Sequence, residues 1–300
     1  MKRSSSGEFE LINDISKLIG KNSKSVVKGI GDDCAVIDTG AKRYLLAATD
    51  TIVESVHFDL GDYSFFDVGW KALAVNLSDI AAMGGVPKYA LVSLGLTKKT
   101  KPRDVSAIYK GMRQLAKKYS VDIVGGDIVR SPEKLSVTVS ILGEADKKKV
   151  LYRSGAKVGN LIMVTGQFGG SVNPLPVKGE GRVRVSPRIT EALIISSWGK
   201  ATAMMDSSDG LAFTIGEICR QSRTGAEVIR SLVPRAKGAS LDDAFYAGED
   251  FELVFTCPAE FADIIADKVR SATGTRVSII GKIVPRSKGI NIDTKGFEHF

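Results

Sequence analysis

Apolar positions recur at helical spacing from Gly7 to Ile19, where Phe9, Leu11, Ile12, Ile15, Leu18 and Ile19 share one side and Gly20 ends the run. Two short apolar runs follow, at 35–37 and 43–48, around the turn Asp38-Thr-Gly40. They predict buried strands, the second leading directly into Thr49-Asp50-Thr51. Residues 67–83 form the clearest helix of the first half. Val68, Ala72, Val75, Leu77 and Ile80 mark its buried side, and Gly84-Gly85-Val-Pro87 stops it. Asn76 and Asp79, three apart, share a face of that helix. Strands are expected at 89–96, at 121–124 running into Gly125-Gly126-Asp127, and at 135–142. A helix is expected at 102–119, with Pro102 in its first turn.

Between Gly143 and Gly159 charged and glycine residues interrupt the pattern, so a domain boundary is expected there, giving domains 1–145 and 146–300. The second half predicts strands at 161–165, 203–206, 227–232, 251–256, 277–284 and 289–292. It predicts helices at 190–197, 210–223, 240–246 and 259–272. Residues 166–185, rich in Gly, Pro and Arg without periodicity, read as a long loop that could act as a lid. Helices and strands mix in both halves, which makes this an α/β (α+β) chain of two domains.

The chemistry lies in carboxylates. Asp32-Asp33, Asp50, Asp79, Asp127, Asp206 with Asp209, and Glu249-Asp250 form acidic clusters, nearly all beside Gly or Ser. Each has a plain reading: Gly-Asp-Asp and Gly-Gly-Asp are common turns, and Asp206 to Asp209 precedes a helix that it could simply cap. Together they suit hard cations, because Mg2+ takes oxygen ligands and keeps substrate phosphates in its shell. So many like charges stay ionised only beside cations, which points to more than one ion and to phosphoryl transfer. No Gly-x-x-x-x-Gly-Lys-Ser/Thr loop and no protein-kinase signature is present, so ATP would have to be held by metals and backbone.

Composition narrows the field. The 300 residues are 43% apolar and 25% charged, as in ordinary globular proteins. No apolar run spans a bilayer, and no signal core follows the basic N-terminus, so a cytoplasmic protein without membrane partners is expected. Cys34, Cys219 and Cys257 are too few and too scattered for a disulfide framework or a zinc site. The net charge of +8 is spread along the chain, its only tight run being Lys147 to Lys149. It fits phosphate-rich small substrates without invoking nucleic acid.

Several motifs appear in order: Gly29-Ile-Gly-Asp-Asp-Cys-Ala35, Ala48-Thr-Asp-Thr51, His57-Phe58, the block from Lys71 through Asn76 and Asp79 to Gly84, Gly125-Gly-Asp127, Arg153-Ser-Gly155, Ser208-Asp-Gly-Leu211 and Gly248-Glu-Asp-Phe-Glu-Leu253. Over nearly the whole chain this resembles the thiamine-monophosphate kinases. They belong to the PurM-like superfamily, with aminoimidazole ribonucleotide synthetase, selenophosphate synthetase and the hydrogenase maturation factor HypE. The resemblance implies phosphorylation of thiamine phosphate to thiamine diphosphate by ATP and Mg2+, without a phosphoenzyme. It also implies a homodimer whose N-terminal strands form a barrel with the partner's, and a C-terminal domain that closes over the nucleotide. Asp33, Thr49, Asp50, Asp79, Asp127, Asp206 and Asp209 match metal positions. Tyr109, Gly126, Asp127, Arg153 and Ser208 match nucleotide contacts, and His57 and Glu249 match substrate contacts. The chain departs from the pattern at Ala48, Ile128 and Ser207. The aromatic that stacks on the thiamine ring falls on Thr294, with Phe297 nearby. Other ATP-using members of the superfamily, of the selenophosphate synthetase or HypE kind, and a nucleotide-binding module without catalysis are the alternatives.

Overall fold

A computed structural model describes residues 7–20, 22–172 and 184–297. The first half builds a mixed sheet from β1 (Val26–Lys28), β2 (Ala35–Ile37), β3 (Arg43–Val53), β4 (Val86–Leu96), β5 (Asp122–Arg130) and β6 (Ser136–Asp146), in the order β1-β2-β3-β6-β4-β5. Only β4 and β5 pair in parallel, and the helix between them makes that crossover. The helices of this half are α1 (Glu8–Ile19), α2 (Phe65–Ala82) and α3 (Pro102–Tyr119). Ser64 caps α2 by accepting the Asp67 N–H at 3.2 Å.

α2 is the centre of the molecule. A buried stripe is expected from its sequence, yet it is buried almost all round, because it lies against β3 and β6, α3, and also α4 and β8 of the second half. Its crossing with α3 is close enough to need two glycines. A Cβ on Gly69 would meet the Ile108 carbonyl at 1.9 Å, and one on Gly111 would meet the Phe66 carbonyl at 2.0 Å.

The second half is an antiparallel sheet of β7 (Leu161–Thr165), β8 (Ala203–Asp206), β9 (Gly225–Val228), β10 (Leu253–Cys257) and β11 (Val277–Val284), ordered β8-β10-β7-β11-β9. Its helices are α4 (Ile189–Ser197), α5 (Leu211–Ser222), α6 (Leu241–Tyr246) and α7 (Ala259–Thr273). Met163, Met204 and Phe255 join the core that contains α2, α4 and α7. Ile162, Val164, Met205 and Val254 join a second core with α5 and α6. One face of this sheet therefore packs toward the first half. Among the described residues no helix is long and apolar enough to cross a membrane.

Several elements differ from the sequence reading. β4 begins at Val86 and accepts Pro87, because the register shifts there against β6. β5 runs through Gly125-Gly126-Asp127 to Arg130 instead of ending at the glycines. A Cβ on Gly126 would lie 1.8 Å from the Val92 carbonyl, so this glycine serves strand contact. β6 continues to Asp146, into the stretch expected as a boundary. Residues 230–232 form a 3-10 turn, and Ile290 makes only a single bridge to Ala226. Of the expected loop 166–185, residues 173–183 lie outside the described residues.

Candidate active site

Four separate pieces of chain bring carboxylates together beside α2. Asp33 stands in the turn before β2, Asp50 in the middle of β3, Asp79 near the end of α2 and Asp206 at the end of β8. Oxygens of Asp33, Asp79 and Asp206 lie within 4.8 Å of one another. The expectation of carboxylates at strand ends thus fails for Asp50 and Asp127, which sit inside strands.

α2 supplies the fixings. Asn76 Oδ1 accepts the Asp50 N–H at 3.0 Å while its Nδ2 donates to Ala72 O at 2.9 Å. Ser78 Oγ donates to Asp206 Oδ2 at 2.5 Å. Arg153 donates to Asp33 Oδ1 from Nε at 3.0 Å and Nη2 at 2.6 Å, and its own N–H donates to Asp32 Oδ1 at 3.1 Å.

Burial dominates the electrostatics. It pushes the Asp33 carboxyl up to about 7 against the pull of Arg153, with Asp206 and Asp32 adding to the rise. It raises Asp206 to about 6, opposed by the Ser78 hydrogen bond and by Arg153. Asp79 is raised well above the ordinary range by burial and then by Asp50, and Asp50 by burial and then by Asp209. Interaction with the Asp79 side chain partly offsets the rise at Asp50. Asp33 Oδ2 is buried with no hydrogen-bond partner among the described residues. A bare buried oxygen beside two further carboxylates fits a hard divalent cation, whose charge would reverse these shifts.

Next to this cluster opens a cavity of about 510 Å³ lined by Asp50, His57, Ser208, Asp209, Glu249 and Phe297, among others. The turn at 206–209 and the Glu249 turn are laced together. Glu249 N–H donates to Ser208 O at 2.6 Å, Phe251 N–H to Ser207 O at 2.9 Å and Ser207 N–H to Glu252 O at 2.9 Å. Glu249 and Phe251 adopt left-handed φ values of 67° and 51°, and a Cβ on Gly248 would meet Ser208 O at 2.6 Å. His57 Nδ1 accepts the Val53 N–H at 3.1 Å, which places the proton of a neutral imidazole on Nε2.

Other expected residues lie elsewhere in this chain. The Thr49 hydroxyl donates to Val139 O at 3.1 Å and lies 3.0 Å from Ser140 Oγ, on the sheet face away from α2. Asp127 pairs with Ser93 in a row that continues through Thr138 to Thr51. Three strand spacings separate the ends of that row, about 14 Å. Tyr109 packs, half-buried, against the first core. Thr294 lies against Gly216 of α5, lining a separate groove, whereas Phe297 lines the cavity beside His57.

Lys71 and Ser78 have no individual role in the sequence reading, and Asp32 has one only as part of the Asp32-Asp33 cluster. A lone lysine within the apolar run Trp70-Lys-Ala-Leu-Ala was the available signal for the first. Ser78 carries none beyond its neighbours.

The family model of AIR synthase related protein, N-terminal domain, matches residues 31–145, and that of its C-terminal domain matches residues 157–293. The thiamine-monophosphate kinase of Bacillus subtilis (strain 168) is 35% identical, over 98% of this chain and 99% of the relative. The chain belongs to the thiamine-monophosphate kinase family. The Escherichia coli (strain K12) member is 33% identical, over 98% of each chain. Among solved family structures, AaThiL complexed with AMPPCP and TMP is 31% identical, with a TM-score of 0.83 over 100% of this chain and 99% of that one. The enzyme from Aquifex aeolicus gives 29% and 0.75, over 96% and 97%. The HypE-HypF complex, at 18% identity and a TM-score of 0.74, shares the PurM-like fold.

Proposed function

We propose that this protein transfers the γ-phosphoryl group of ATP to thiamine phosphate, giving thiamine diphosphate and ADP, as a Mg2+-dependent cytoplasmic homodimer. The observation that supports this most strongly is the carboxylate cluster of Asp33, Asp79 and Asp206, joined through Asp50 to a cavity with His57, Glu249 and Phe297 in its walls.

Asp33, Asp50, Asp79, Asp206 and Asp209 would hold Mg2+, which neutralises the phosphates when bound. Ser208 and Arg153 would contact the nucleotide. His57 and Glu249 orient the acceptor, and Phe297 rather than Thr294 supplies its aromatic platform. No side chain is needed as nucleophile. An oxygen of the acceptor's phosphate bonds to the γ-phosphorus as the β–γ bridging bond breaks, and ADP leaves.

The dimer reading rests on the sheet face opposite α2. Leu91 is about half exposed there, and Val124 and Ile128 are more than half exposed on edge strand β5. Thr49, Tyr109, Gly126 and Asp127 would serve metal and nucleotide only in that assembly. We take 1–145 and 146–300 as the two domains.

The test is turnover by the purified protein with ATP, Mg2+ and thiamine phosphate, with free thiamine as control. Thiamine diphosphate formed from the phosphate alone supports the reading. ADP without that product, or ATP binding without turnover, overturns it.

A further inference from the structure

Lys71 has no assigned part in metal, nucleotide or acceptor binding. Its position on α2 is eight residues before Asp79, and its side chain is 4% exposed. An ammonium in such surroundings needs partners for its donors. Nζ donates to Glu249 Oε1 at 2.6 Å and to the backbone carbonyl of His57 at 2.5 Å, and it lies 5.3 Å from the centre of the Tyr63 ring.

Those two hydrogen bonds join the two acceptor-contacting residues, which come from chain segments far apart in sequence. His57 belongs to the loop after β3, and its ring is already fixed by Val53 N–H. Glu249 belongs to a turn in strained backbone, held to Ser208 by one short hydrogen bond. Lys71 occupies Oε1 of Glu249, which leaves Oε2 to meet a donor on the acceptor. Lys71 also lines a second cavity of about 540 Å³ that shares His57 and Glu249 with the first.

We propose that Lys71 is a positioning residue for the phosphate acceptor, setting the orientation of Glu249 and its separation from His57. The inference rests on the functional reading above. It differs from a general role in stability because Glu249 is 39% exposed on its side chain, so losing the ammonium leaves no buried carboxylate behind.

The experiment measures steady-state rates of Lys71→Met and Glu249→Gln, varying thiamine phosphate and ATP separately. Lys71→Met is expected to raise the acceptor KM at least tenfold while the ATP KM stays within twofold. Glu249→Gln should share that signature, and the double variant should be no worse than the worse single one. An unchanged acceptor KM, or a loss confined to kcat, overturns the proposal. If Lys71→Met does not give a native circular-dichroism spectrum, Lys71→Arg decides: it keeps the charge but not the point geometry, and a wild-type acceptor KM in it overturns the proposal. Wild-type protein that makes no thiamine diphosphate overturns the functional reading and this inference with it. Wild-type turnover with normal variants overturns this inference alone.

Discussion

Arg153 places both Nε and Nη2 on one oxygen of Asp33, at 3.0 and 2.6 Å, and leaves the other oxygen bare. The guanidinium thus acts as the counter-charge of the metal-free cluster, and Asp33 and Asp32 keep it protonated despite its burial.

Removing that counter-charge should matter most without metal. Arg153→Met is expected to cost about 3 kcal/mol of stability in EDTA, as for a broken buried pair, with Mg2+ restoring part of the loss. Thermal melts with EDTA and with Mg2+ measure it. An equal loss in both conditions would sink the idea.

The raised carboxyls set a pH dependence. Asp33 and Asp206 move from an ordinary 3.8 to about 7 and about 6, so the native state holds protons that the unfolded chain has released. Stability of the metal-free protein should therefore fall as pH rises above about 4, up to about 6 for the Asp206 contribution and about 7 for that of Asp33. Mg2+ competes with those protons and should stabilise more at pH 8 than at pH 5. Urea unfolding at several pH values tests both; a metal-free protein that gains stability across that range contradicts the assignment.

Asp79→Asn removes a charge from the cluster while keeping its shape. We expect turnover to drop at least about a hundredfold, with a melting temperature close to wild type in EDTA because burial already holds that carboxyl protonated when no metal is bound. Asp50→Asn should follow it. Loss of the native circular-dichroism spectrum would instead mark these carboxylates as structural.

Phe297→Ala should raise the acceptor KM about tenfold, the loss of roughly 1.4 kcal/mol of ring stacking, with the ATP KM unchanged. Thr294→Ala should leave both unchanged, since Thr294 rests on Gly216 in another groove. The reverse pattern would return the aromatic role to position 294.

Much of this was legible in the sequence, for identifiable reasons. α2, α3 and β11 announced themselves by periodicity and by Pro102 or Gly84 at their ends, because local spacing reports a buried face. The acidic clusters were legible as residue types that pay no fold. What local pattern cannot carry is which neighbours arrive from elsewhere. α2 is buried all round because α4 and β8 come from the second half. β5 passes through two glycines because Val92 presses on one of them. Nothing near Thr294 or Phe297 in sequence says which of the two enters the cavity, since that depends on how the segment after β11 runs past α5.

The lacing of residues 206–208 to 249–252 also governs how this site can change. Three peptide hydrogen bonds and a glycine in close contact lock the lengths of both turns, so an insertion or deletion in either would displace the proposed metal ligands and acceptor contacts together. The segment bearing Phe297 meets the site through a backbone hydrogen bond from Phe297 N–H to Asp209 O at 3.1 Å. Exchanging that segment would therefore retune acceptor preference and, through Asp209, reach the proposed metal site as well.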